Sequence, residues 1–154
     1  MEEHDYKAEF ENHIRKVSAA LGRELDMDKI QVIDRGVPHC TPKWRDGLMA
    51  VYTYNFQGEF LKIGKAGPRS EARFRSHHYN PHNAKSTLAA SILSDPKMSG
   101  YSLNDKTVGN WIKEHCRRID VMIPVNMGIF TLELVEAILH YVYEPRYEGF
   151  DSQR

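Results

Sequence analysis

Only two cysteines, Cys40 and Cys116, occur in 154 residues, and no CxxC pair is present, which leaves nothing for a disulfide framework or a redox motif. The doublets His39-Cys40 and His115-Cys116 do not build a zinc site either. Adjacent residues diverge on a helix or a strand, and neither doublet has the spacing of zinc ligands. Long apolar runs are missing too. Nothing approaches the roughly 20 residues that cross a bilayer, and the N-terminal stretch is acidic and amphipathic rather than signal-like. The expectation is a cytoplasmic protein with reduced thiols and no membrane partner. Net charge is also lacking, since 21 basic residues balance 21 acidic ones. This argues against a protein that coats nucleic acid by charge alone, and leaves open a basic face built locally. Repeats and low-complexity linkers are absent, so the length suits one domain with a real core.

What is present begins with an amphipathic helix over Asp5 to Leu25, with Phe10, Ile14, Val17 and Leu21 at helical spacing. Ile30 to Ile33 fits a short strand, and Gly36, Pro38 and Pro42 mark a loop that runs to Gly47. Two β-type runs follow, Leu48 to Phe56 and Glu59 to Gly64, joined by Gln57-Gly58 as a hairpin turn. Beyond Gly67-Pro68 comes a helical segment that carries Arg69, Arg73, Arg75, His77 and His78. Ser86-Thr87 caps a helix over Leu88 to Leu93, and Lys97 to Asp105 reads as a polar loop. A helix over Thr107 to Cys116, a strand over Arg118 to Val125 and a helix over Thr131 to Tyr143 complete the pattern, with Pro145 as the stop.

The fold class expected is α+β, with a small three-stranded, mostly antiparallel sheet made of the central hairpin and one later strand, flanked by helices. Residues 1–46 form an N-terminal helical extension and loop packed on the core, and residues 47–150 form the main domain. Charge is unevenly placed along the chain. Lys62, Lys65, Arg69, Arg73, Arg75 and Lys85 cluster against Glu71 alone, whereas Glu2, Glu3, Asp5, Glu9 and Glu11 gather at the start. Tyrosine, lysine, arginine and histidine brought together by one hairpin and one helix are the ingredients of a phosphodiester-handling site.

These residues also fall into a known order. Ala50-Val51-Tyr52 stands on the first strand and Lys62-Ile63-Gly64 on the second, followed by Lys65-Ala66. Arg73 and His77 are four apart on the next helix, and Glu136 lies nine residues before Pro145. In this the chain resembles the GIY-YIG nuclease superfamily, over about two-thirds of its length from Gly47 to Gly149. It departs from the family's pattern at Ala50 for glycine, at Lys62 for the second signature tyrosine, and at Glu148 for an asparagine. The lysine is similar to a variant among restriction-endonuclease-like members.

The resemblance implies a Mg²⁺-dependent endonuclease acting on DNA, with Mn²⁺ able to substitute, in which Tyr52, Lys62, Arg73, His77 and Glu136 are catalytic. Cleavage of a phosphodiester needs an oriented or deprotonated water and cations on the phosphoryl oxygens. Tyr52 would handle the water, and Lys62 would either ease the ionisation of that phenol or accept the proton itself. Arg73 offers a planar fork to the phosphate, with His77 one helical turn further on. Glu136 is the metal ligand, with Glu133 its competitor, and Lys65, Arg69, Arg75 and His78 are nucleic-acid contacts. A homodimer would suit double-strand cutting at a symmetric site. Two other readings compete. One is a catalytically inactive domain of the same type, kept for DNA binding or assembly; the other is a small-molecule enzyme using the same acid, base and anion clamp.

Overall fold

The computed structural model describes residues 3–84 and 87–148. Expectations for Glu2, Lys85, Ser86 and the tail beyond Glu148 lie outside the described residues. Helix α1 (Tyr6–Ala20) starts where the Asp5 carboxylate accepts the Ala8 amide, and it buries Tyr6, Phe10 and Ile14 at four-residue spacing. Strand β1 (Gln31–Gly36) follows, then β2 (Leu48–Phe56) and β3 (Glu59–Ala66). Gln57 and Gly58 both have positive φ, at 53° and 87°, which matches the type I′ turn that joins two twisted strands. Helix α2 (Glu71–Arg75), α3 (Leu88–Ser94) and α4 (Val108–His115) come next, then β4 (Arg117–Pro124) and α5 (Ile129–Tyr143).

The four strands form one antiparallel sheet in the order β1-β4-β2-β3. This corrects the three strands expected: Ile30 to Ile33 marked the start of a full strand, which pairs Gln31–Asp34 with Met122–Ile119 of β4. Both faces of the sheet are covered. Under α1 and α5 lie Val51, Ile63, Ile119 and Val121 with Phe10, Leu132 and Val135. Under α2 to α4 lie Tyr52 and Tyr54 with Phe74, Leu88, Ile92 and Ile112. Because side chains alternate along a strand, the central β2 is buried on both sides, and so is most of β4. The polar side of β4 therefore has nowhere to go but into the second core.

Two local expectations also change. The helix that was to carry both Arg73 and His77 ends at Arg75, because Ser76 leaves helical geometry (φ −131°) and His77–Tyr79 form a separate 3-10 turn. The polar loop from Lys97 begins inside a second 3-10 stretch, Pro96–Tyr101, which buries Met98. Thr87 does cap α3, accepting the Ala90 amide at 3.2 Å. Among the described residues no helix is long and apolar enough to cross a membrane.

Candidate active site

Register places the chemistry. Tyr52 lies across from Gly64 on one side and Asp120 on the other, and Tyr54 lies across from Lys62 and Arg118. All six share the sheet face beneath α2 and the His77–Tyr79 turn. Gly64 is needed there because the Tyr52 ring lies directly over it. A Cβ on Gly64 would sit 2.5 Å from the Tyr52 hydroxyl and 2.6 Å from its ring carbon Cζ. The rigid, buried ring cannot swing away cheaply. Gly64→Ala is expected to lower stability by about 1–3 kcal/mol, the range for overpacking, and urea melts of the two proteins give the difference directly.

The Tyr52 hydroxyl meets His78 Nε2 at 2.6 Å. The tautomer of that imidazole is set from its other side, where the Leu88 amide donates to Nδ1 at 3.1 Å. An Nδ1 that accepts cannot carry a proton, so the proton sits on Nε2 and is donated to the Tyr52 oxygen. Burial, then the charges of Lys62, His77 and Arg73, push the His78 pKa well below the ordinary imidazole value, in keeping with this neutral form. His78 was expected at the surface as a DNA contact. It is instead buried against the signature tyrosine, because the 3-10 turn redirects it inward.

Tyr52 itself is a neutral phenol. Burial raises its pKa above the ordinary value; Arg73 pulls it down, and Glu136 and Glu148 push it up. Arg73 is thus a cation that acts on this hydroxyl, in one of the two roles expected of Lys62. Lys62 is buried and its ammonium faces Glu148 Oε1 at 2.9 Å. His77 is half-buried near Arg73 and Lys62, and burial followed by those two charges lowers its pKa. Arg69, Arg73 and Arg75 are exposed, with Arg75 paired to Glu71 at 3.1 Å. Glu136 comes from α5 at the β3 edge, where its Oε1 lies 3.5 Å from the Lys65 ammonium. Glu133 is exposed.

Under this surface lies a network that the sequence reading did not anticipate. Arg118 is fully buried and donates to Asp120 at 3.0 and 3.1 Å, to the hydroxyls of Tyr54 and Tyr79 at 3.1 and 3.0 Å, and to the Phe74 carbonyl at 2.6 Å. Burial disfavours its charge, but Tyr54, Asp120 and Tyr79 outweigh that and hold its pKa above the ordinary value. Asp120 also pairs with Arg35 of β1. The line continues outward. His39 Nδ1 must donate to the Cys116 carbonyl at 2.7 Å, so its Nε2 accepts the Tyr79 hydroxyl proton at 2.7 Å. The available signal was the Arg-x-Asp pattern at Arg118 and Asp120, leading into the apolar run Val121 to Ile123. Through Phe74 and Tyr79 the network grips the residues next to Arg73 and His78.

The implied metal can be tested against the donors present. Among the described residues no group of three or more His, Cys, Asp or Glu converges. Glu136 offers one carboxylate, partly open to solvent. Such a donor fits Mg²⁺, which keeps several waters and is bound through one or two carboxylates plus substrate phosphate. It does not fit zinc. In comparisons with known proteins, no family model, no curated protein and no solved structure matched the chain.

Proposed function

We propose that this protein is a divalent-metal-dependent endonuclease of the GIY-YIG type that hydrolyses phosphodiester bonds in DNA. The observation that carries the reading is the buried Tyr52 hydroxyl held by His78 at 2.6 Å, with the charge of Arg73 opposing the rise in its pKa that burial causes. A buried phenol with a fixed hydrogen-bond donor and a neighbouring guanidinium suits water activation beside a phosphate. His78 donates to the Tyr52 oxygen, so the phenol's own proton is turned elsewhere and can orient the attacking water. Arg73, Arg69 and Lys65 meet the phosphate backbone as cations. Glu136 is the residue to hold Mg²⁺ or Mn²⁺, which when bound supplies positive charge to the phosphoryl oxygens.

The test uses supercoiled, relaxed and single-stranded DNA with Mg²⁺, Mn²⁺ or a chelator. Nicked or linear products that vanish with the chelator and return with metal are the expected result. Uncut DNA of every form in both metals sinks the proposal.

One observation favours a second reading, a DNA-binding module without catalysis. Glu136 and Glu148 each already face a lysine, at 3.5 and 2.9 Å, so neither carboxylate needs a metal to be paired. That reading gives DNA binding that weakens steeply with salt and no cutting in the same assay.

A further inference from the structure

The segment after α5 is held with unusual care for a chain end of a helix. Glu144 adopts the left-handed conformation that closes α5 (φ 44°), and the amides of Arg146 and Tyr147 then donate to the Phe60 and Leu61 carbonyls, each at 3.0 Å. These two residues run along the outer edge of β3. Tyr147 is buried and its hydroxyl donates to Asp95 at 2.8 Å, and Arg146 pairs with Glu59 at 2.6 Å. Each contact fixes the residue that follows. Glu148 is thereby delivered to Lys62, carboxylate to ammonium at 2.9 Å, where the lysine side chain is 9% exposed and the glutamate 19%.

We propose that Glu148 is the positioning residue of Lys62, holding its ammonium as a fixed cation for the phosphate and excluding it as the base that takes the proton from water. The inference rests on the hydrolytic reading above and decides between the two roles open to Lys62. An ammonium has three N–H donors and no lone pair, so while it donates to Glu148 it cannot accept a proton. Lysine also has a long, flexible stem, and a half-buried carboxylate at 2.9 Å restrains that freedom before substrate arrives. The other groups facing Lys62 are His77 and His78 from the 3-10 turn and Tyr54 across the hairpin. None of them is an anion, so Glu148 is the carboxylate partner of Lys62 among the described residues.

The experiment is a double-mutant cycle on DNA cleavage with Mg²⁺, using wild type, E148Q, K62M and the double variant, with kcat and KM determined separately. E148Q is expected to lower kcat about tenfold through misplacement of Lys62, with KM for DNA little changed. In the K62M background the same substitution should have no further effect, and E148D should recover part of the loss. Equal losses in both backgrounds, or an E148Q enzyme as fast as wild type, overturn the proposal and leave the nuclease reading standing. A wild type that cleaves no DNA overturns both. Should E148Q fail to fold, E148D in the two backgrounds carries the same comparison.

Discussion

Arg73→Ala is expected to cut the rate of metal-dependent DNA cleavage by about 10²–10³-fold, the range for removing one preorganised donor to developing charge. The size follows from where Arg73 stands. It is exposed on α2, so its loss removes no core contact and leaves the fold intact. Its charge is nonetheless the largest cationic influence on the buried Tyr52 hydroxyl, and it also reaches His77 and His78. One substitution therefore withdraws both the proposed phosphate fork and the charge that opposes the burial of Tyr52. Arg73→Lys should recover little, because a point-charge ammonium does not reproduce a planar two-pronged donor. DNA affinity should fall only modestly if Arg69 and Lys65 serve as the proposed backbone cations. Single-turnover cleavage beside a binding isotherm and a circular dichroism melt separates the three effects. Wild-type cleavage by Arg73→Ala would remove Arg73 from the candidate site.

How far the chain could be read without its fold depended on whether the deciding interaction was local. The hairpin was legible because alternation and a glycine turn are properties of neighbouring residues, and so was α5 from its helical spacing. The α+β class followed from the same patterns. The fourth strand was partly visible at Ile30 to Ile33, but whether an edge run pairs depends on β4, some 85 residues away. At the candidate site, the two-residue turn alone would set Tyr52 opposite Ile63; a bulge between Tyr54 and Asn55 shifts the register by one and brings Gly64 there instead, and no local pattern announces it. That His78, with His77 beside it only half-buried, turns inward against Tyr52 was not legible. Both are histidines at neighbouring positions, and only the break at Ser76 and the Leu88 amide decide which one turns inward. The pairing of Lys62 was not legible for a related reason. Its partner, Glu148, arrives through a tail whose path is fixed by backbone bonds to β3, and no periodicity encodes them.

The buried arginine gives the largest expected effect on stability. Arg118→Met should destabilise the protein by about 3–5 kcal/mol, the cost of breaking a buried ion pair from one side, out of a total of roughly 5–15 kcal/mol for a domain. Methionine fills much of the volume, so the loss is chiefly polar. Asp120 keeps Arg35 but gives up two bonds, the Tyr54 and Tyr79 hydroxyls each lose a donor, and the Phe74 carbonyl is left without its 2.6 Å partner. Unpaired buried acceptors of this kind cost about 1–3 kcal/mol each before relaxation. Arg118→Lys should rescue only a fraction, because one ammonium cannot reach a carboxylate, two phenols and a carbonyl together. Removing the acid instead, by Asp120→Asn, leaves a guanidinium in the core with one fewer charge to balance it and should cost a comparable amount. The consequence reaches the site as well. Phe74 and Tyr79 adjoin Arg73 and His78 in the chain, so whatever part of Arg118→Met still folds should hold α2 and the 3-10 turn loosely. Denaturant unfolding of the three variants, with amide exchange read at His78 and Leu88, checks both halves. A change below about 1 kcal/mol, typical of a surface ion pair, would show that Arg118 does not hold the second core together.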